Sequence, residues 1–529
     1  MTYITVITFL LYTGIVAWYS WYKTRSINLN SSDGYFLGGR SLTGVVIAFS
    51  LLLTNLSTEQ MVGLNGQSYA TSMVVMAWEV TSPIALIFMA FVFLPRYLKT
   101  GITTIPDFLE QRYDLRTRQI ISVLFLLGYA MAYLPTVLYS GALVLDTIFN
   151  ISDLFGLSDF NIILIVSLAI GITGIAYVVL GGLRACALSD TLNGVGLIVG
   201  GLLITVLGLF ALGGGSLVEG VNTLLHKEPE KLNSIGDSSS PVPWVTIFAG
   251  LLFNNLFYWC TNQAIVQRTL GAKNLKEGQK GVLYAGMFKI FGAFYLVLPG
   301  IIAYHLFNNS LSNADMAYPS LVIEVLPTLL SGFFAAVLFG AILSSFNGAL
   351  NSSLTLFTLD IYKPIFKPDA TEQQLVKAGR RFAIALGLVA VIVAPFILYA
   401  PSGLYYYLQE MFGFYNIPII AAVVVGFFSK KVPAIAPKIA LVVHIVLYTL
   451  SKFFMGSINF LYILSVLFPV CVLVMLLVGK WKPREKDFEL FESGKVDLTP
   501  WKHAKVFTIV MVLLMVAVYI LFSPLGIAA

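Results

Sequence analysis

The sequence predicts an all-α polytopic membrane protein on three observations: its composition, the length of its apolar runs and the one-sided placement of its basic residues. Hydrophobic residues are 58% of the 529 and charged residues only 11%, whereas a soluble chain carries about a quarter charged residues to wet its surface. Apolar runs long enough to cross about 30 Å of hydrocarbon recur from end to end. One globular core cannot hide so many, so lipid must be their solvent.

Taken in order, the runs give about fourteen spans. They lie at residues 3–22, 43–70, 73–97, 120–149, 162–182, 190–213, 243–270, 278–306, 327–360, 376–398, 404–428, 433–453, 459–480 and 505–525. The first has no basic stretch before it and no small-residue cleavage site after it, so it reads as a retained span and not as a signal peptide. The connections are short apart from 214–242 and 481–504, with no separate soluble domain.

Cytoplasmic loops retain Lys and Arg during insertion. With the N-terminus outside, the inner loops hold Lys23, Arg25 and Arg40, the basic residues of 96–118, Arg184, and those of 268–280, 363–381, 430–438 and 480–505. Of the 32 basic residues only Lys227, Lys231 and Lys452 fall outside, and Lys289 lies within a span. The even number of spans agrees, placing both termini on the extracytoplasmic side. The net charge of +6 is therefore a topology signal and not a nucleic-acid footprint. Cys186, Cys260 and Cys471 are scattered, as are His226, His305, His444 and His503, which gives neither metal-ligand spacing nor a disulfide framework. No nucleophile–base pair or phosphate loop suggests an enzyme.

Lipid penalises polar side chains, so those that the spans carry anyway are informative. The second span reads Leu53-Thr54-Asn55-Leu56-Ser57-Thr58-Glu59-Gln60, then Gly63, Asn65 and Gly66. That suits a broken helix whose freed backbone groups coordinate an ion or solute, against the alternative of interhelical glue. The third span carries Trp78, Glu79 and Ser82; Glu79 is near its outer end, where snorkelling to water is the competing reading. Lys289 sits deep in its span and needs a partner, with Glu79 or Glu59 available.

In the ninth span Ser344, Asn347, Asn351, Thr355 and Thr358 advance by three or four and form one polar stripe, with Ala341 and Ser345 beside it. Adjacent hydroxyls near free carbonyls suit dehydrated Na+, a hard cation that prefers oxygen. The seventh span adds Asn254, Asn255, Tyr258, Asn262 and Gln263, and the eleventh adds Tyr405, Tyr406, Tyr407, Gln409 and Glu410. Aromatic faces stack on apolar sugar rings while amides and acids take the hydroxyls; an interfacial aromatic belt is the alternative for the tyrosines.

At these residues, across 35–431, the chain resembles the sodium/solute symporter family, in particular its bacterial sugar-transporting members. The resemblance is carried by Tyr177-Val178-Val179-Leu180-Gly181-Gly182-Leu183-Arg184-Ala185 with Ser189-Asp190, by 55–60, and by Asn255-Leu256-Phe257-Tyr258-Trp259 with Gln267-Arg268-Thr269-Leu270. Ser344-Ser345 leading to Thr358-Leu359-Asp360-Ile361-Tyr362-Lys363 completes it.

The resemblance implies a LeuT-type core of two inverted five-helix repeats, at 43–213 and 243–428, flanked by peripheral segments 1–42 and 429–529. It implies a bacterial inner-membrane symporter that takes a hexose with Na+. By the same carry-over, Gln60, Glu79, Ser82, Asn255, Lys289 and Gln409 bind the sugar and Tyr258 closes it from the cytoplasm. Trp78, Tyr405 and Leu64 stand at outer-gate positions, Trp78 in place of a tyrosine and Leu64 of a methionine. Sodium falls to the carbonyls of Leu53, Leu56 and Ala341 and the hydroxyls of Ser344 and Ser345, with Asp190 on the exit route. Relatives that couple two sodium ions have hydroxyl residues where this chain has Asn347 and Gly348, so one Na+ per sugar is expected. An amino acid, monocarboxylate or vitamin is the alternative cargo, against which stands the lack of an Arg within the core spans to hold a carboxylate; a sodium-gated sugar sensor is the other alternative.

Overall fold

The computed structural model describes residues 3–24, 31–399 and 404–528; Arg25, counted above among the inner basic residues, lies outside them. Among the described residues the secondary structure is helical, apart from one isolated parallel bridge between Leu42 and Ala272. Every apolar run in the sequence lies on helix. Nine helices among the described residues are long and apolar enough to cross a membrane, and three further pairs qualify together while bending at a short break.

The first bent pair, Gly44–Asn55 with Thr58–Ala70, turns by 58° where the polar run of the second span predicts a break. Leu56 (φ −85°, ψ 80°) and Ser57 (φ −110°, ψ −175°) leave the helical region. A helix that ends there strands its last carbonyls, and each is accounted for. Leu52 O accepts from Leu56 N, Leu53 O and Thr54 O accept from Ser345 Oγ, and Thr54 O also accepts from Tyr133 Oη at 2.9 Å. The other pairs are Leu275–Ile290 with Ala293–Leu306, bent by 48°, and Tyr405–Phe412 with Asn416–Phe428, bent by 47°.

The seventh span is broken too, into Gly250–Cys260 and Gln263–Leu270. Asn262 between them accepts from Ala264 N (3.0 Å) as an N-cap and from Tyr129 Oη (2.6 Å). The Gly250–Cys260 segment packs against Ser82–Phe88 and Asn416–Phe428, while Thr58–Ala70 packs against Leu404–Phe412. Gly63 permits the second contact, since a β-carbon there would lie 2.6 Å from Tyr405 Cβ.

Two predicted spans, 162–182 and 190–213, fall on one helical stretch of 54 residues, Asp159–Leu212. Straight, it would run about 80 Å, far beyond the hydrocarbon thickness. It is interrupted at Gly182, whose φ of 59° and ψ of −163° are not helical. A side chain there would also meet Tyr35 O at 2.9 Å, which gives the Gly181-Gly182 pair of the sequence a steric reason.

Burial separates a core from a rim. The Met73–Thr100 and Thr328–Phe366 spans are each 72% buried over their most apolar stretch, against 17% for Tyr3–Lys23 and for Ala504–Leu521. The connection after residue 306 is not a bare loop: it holds the helix Ala317–Val325, with Tyr318 and Leu321 buried. The non-helical 481–504 segment is tied across one end of the bundle, Ser493 N donating to Lys99 O (2.8 Å) and Leu275 N to Asp497 O (2.9 Å).

Candidate functional site

The breaks in the second, seventh and eleventh spans and the bend after Ile290 converge on one internal cavity. Asn55, Gln60, Asn254 and Asn255 line it beside Trp78, Glu79, Tyr258, Trp259, Lys289, Tyr405 and Gln409. Of the six sugar-binding candidates, five are therefore brought together. Ser82 is buried but turned away, its hydroxyl donating to Glu79 O at 2.7 Å. Leu64 is buried without lining the cavity.

Lys289, at the end of the Leu275–Ile290 helix, forms an ion pair with Glu79 and donates to Asn55 Oδ1. Both ionic side chains are 1% exposed, so Glu79 does not snorkel to water and Glu59 is not the lysine's partner. An unpaired charge here is costly, and removing one member of such a pair leaves the other stranded. The ammonium also lies 5.3 Å from the centroid of the Trp259 ring, an attractive placement over an aromatic face.

The amides are held from behind. Asn255 Nδ2 donates to Thr81 Oγ1 (3.1 Å), Asn254 Nδ2 to Gln409 Oε1 (3.1 Å) and Asn55 Nδ2 to Tyr258 Oη (3.1 Å). Two polar atoms of the lining are buried without any partner, Gln60 Oε1 and Trp78 Nε1. One is an acceptor and the other a donor. The three gate aromatics all border the cavity. Trp78 and Tyr405 meet edge to face at 5.5 Å, and Phe460 stacks behind Trp78 at 6.3 Å.

On the other side of the break lie the residues that the resemblance assigns to sodium. Ser345 Oγ donates to the Leu53 and Thr54 carbonyls, each at 3.0 Å, so the broken helix and the Thr328–Leu356 helix meet at these residues. Ala341 is buried one turn earlier, Leu56 is at the break, and the buried Ser344 hydroxyl lies against the Asp190 carboxylate. An all-oxygen donor set of carbonyls and hydroxyls fits a hard monovalent cation. Asp190 is fully buried; its Oδ2 accepts from Ser50 Oγ (2.7 Å), and Ser344 is its second hydroxyl neighbour.

Sequence reasoning misplaced Arg268, counted with an inner loop. It is fully buried, its Nε donating to Thr54 Oγ1 at 3.1 Å with both Nη atoms unpaired. The core therefore does hold an arginine, though it does not line the solute cavity. Trp259 and Asn416 were not singled out either, being an apolar-looking aromatic and an isolated amide; Asn55 was legible as part of the polar run.

A sequence model of the Sodium:solute symporter family matches residues 35–477. The chain is 48% identical over 520 residues to the uncharacterized symporter YidK of Escherichia coli (strain K12), covering 98% of this chain and 91% of that protein. It is 32% identical over 487 residues to the sodium/glucose cotransporter of Vibrio parahaemolyticus, with 87% of each chain covered. The solved structure of a Na+-coupled sialic acid symporter in a substrate-bound outward-open state shares the fold, with a TM-score of 0.77 at 20% identity over 92% of this chain and 100% of that one.

Proposed function

This chain belongs to the sodium:solute symporter family, and from that premise we propose that it carries a neutral hexose into the cell, one Na+ with each sugar. It is a multi-pass membrane transporter with sodium as its coupling ion. The observation that carries the hexose reading is the charge and polarity of the cavity. Lys289 is neutralised by Glu79, so the cavity offers no uncompensated cation for a carboxylate. A buried acceptor, Gln60 Oε1, and a buried donor, Trp78 Nε1, both lack partners. Leaving buried polar groups unsatisfied is unfavourable. A hydroxyl both donates and accepts, so a polyhydroxylated ring satisfies both with one kind of group.

In this reading Gln60, Glu79, Asn255, Lys289 and Gln409 hold the sugar, Trp78 and Tyr405 close over it, and Tyr258 yields inward. Sodium enters between Leu53, Leu56, Ala341, Ser344 and Ser345, replacing the Ser345 hydroxyl on carbonyls that the break has freed. The ion thereby cross-links the broken helix to its neighbour in one state of the alternating-access cycle and not in the other. That differential affinity is the coupling, and it acts equally in both directions. The membrane potential adds about 2.3 kcal/mol per charge per 100 mV. Asp190 takes the departing ion.

The one-sodium stoichiometry is supported at Gly348. A β-carbon there would lie 2.8 Å from Thr54 Cγ2 and 2.9 Å from Arg268 Nη2, so a hydroxyl side chain has no room beside the guanidinium. Two inverted repeats, 43–213 and 243–428, are supported by the breaks that interrupt the first span of each. With both termini outside a bacterial inner membrane, the basic residues fall on the cytoplasmic side.

The test is uptake of labelled hexoses, amino acids and carboxylates into proteoliposomes with and without an inward Na+ gradient. The reading expects gradient-dependent accumulation of at least one hexose. Accumulation of only a charged solute would overturn it.

A further inference from the structure

Gln409 is oriented by a relay that starts at a backbone group outside the cavity and passes through Asn254 in its wall. Asn416 opens the helix after the break in the eleventh span, and its Oδ1 accepts from the N–H of Ile417 at 2.6 Å. A backbone N–H only donates, so the acceptor end of Asn416 is fixed. Its Nδ2 is then the atom that donates to Asn254 Oδ1, at 2.7 Å. That leaves Asn254 Nδ2 to donate to Gln409 Oε1, at 3.1 Å. All three amides are buried, Asn416 completely.

The two ends of an amide have nearly the same shape, and an unanchored one turns to suit its ligand. This relay removes that freedom. Gln409 Oε1 is engaged, and Nε2, a donor with two hydrogens, faces the Tyr405 hydroxyl with one and has the other for the cavity. Asn255 has the opposite polarity. Thr81 Oγ1 donates to Ala77 O (2.7 Å), so it accepts from Asn255 Nδ2 and leaves Asn255 Oδ1 as the free end.

We infer that Asn416 and Asn254 are positioning residues that lock Gln409 as a hydrogen-bond donor, so that the solute must present an acceptor oxygen at that place. The inference rests on the cavity being the solute site, as proposed above. It adds a specificity rule: a hydroxyl, ring oxygen or carbonyl fits against Gln409, whereas an ammonium there faces a donor that cannot turn. Asn416 achieves this without touching the solute, through the break that also shapes the span.

The experiment is equilibrium binding to purified full-length protein in Na+, using the solute that wild type accumulates and its analogues. At each ring position one analogue only accepts (a fluoro or O-methyl group) and one only donates (an ammonium). In wild type one position should keep the accepting analogue and lose the donating one by about ten-fold or more. Asn416→Leu and Asn254→Leu, both neutral, should bring the two analogues to within about three-fold of each other at that position and nowhere else, because Gln409 is then free to turn. Asn254→Asp accepts from both neighbours and should reverse the order. Loss of affinity for all analogues alike, with the wild-type order kept, would mean that the relay is structural only and overturns the inference. A non-hexose as the accumulated solute would overturn the hexose reading instead, and the same comparison on that solute's analogues would still decide the relay.

Discussion

The two sides of the Leu56–Ser57 break are built from different chemistry. On the proposed ion side the groups are backbone carbonyls at the end of a helix, together with two serine hydroxyls on the facing helix. On the proposed solute side almost nothing is backbone: amides, a buried ion pair and aromatic rings line the cavity, and Asn254, Asn255 and Lys289 are held by neighbouring side chains. A small hard cation needs several oxygens at close range, which unwound backbone supplies within a few residues. A neutral ring needs donors and acceptors with fixed direction, which only side chains from several helices supply. The break borders both sides, and in the proposed cycle that shared element couples one site to the other.

Substitutions should therefore fail differently on the two sides. The largest effect is expected at Lys289. Lys289→Ala strands the Glu79 carboxylate in the core, costing about 3–5 kcal/mol of stability and abolishing solute binding. Lys289→Met combined with Glu79→Gln should restore the melting temperature without restoring transport. Equal stability of the single and double variants would show that the pair is not the buried unit described.

On the ion side Ser345→Ala removes a sodium ligand but leaves no charge behind. The sodium concentration for half-maximal uptake should rise about ten-fold or more, from a loss of about 1–3 kcal/mol. Sugar affinity at saturating Na+ should stay within about two-fold. A variant whose sugar affinity collapses at saturating Na+ would erase the division between the two sides.

Smaller effects are expected where an orphaned atom waits for the solute. Trp78→Phe keeps the ring and its stacking on Phe460 but deletes the Nε1 donor, and should raise the sugar KM about five-fold. Its sodium dependence should be unchanged, which a sodium titration of uptake checks. The least perturbing test changes no residue: the Hill coefficient of wild-type uptake for Na+ should be near one, and a value near two would require a second ion that the Asn347–Gly348 pattern does not accommodate.

How much of this was legible in the sequence follows the same division. The solute side could be read by residue type, because Lys289 and Glu79 are conspicuous in apolar surroundings and lipid forces such groups to have partners. Which carboxylate pairs with the lysine could not, since Glu59 and Glu79 fit the pattern equally and only packing separates them. On the ion side the carbonyls carry no identity of their own; they were inferable only through the polar run that breaks the helix and through family resemblance. Arg268 was misread because a basic residue near the end of a span looks like a loop residue until its Thr54 partner, far off in sequence, is seen. Asn416 was invisible for a similar reason, as its meaning lies in the orientation of Asn254 and Gln409 and not in its own neighbourhood. The long Asp159–Leu212 stretch reads as two spans by its apolar pattern, and in the structure it is one helical stretch interrupted at Gly182.

The central claim is that ion and solute communicate through the broken second span, and reciprocal binding tests it most directly. Sodium affinity of the purified protein should be measured with and without saturating hexose, and hexose affinity with and without saturating Na+. The account predicts that each ligand tightens the other by the same factor, about five-fold or more, and that Ser345→Ala shrinks both factors together. Tight binding of each ligand with affinities independent of the other would contradict it.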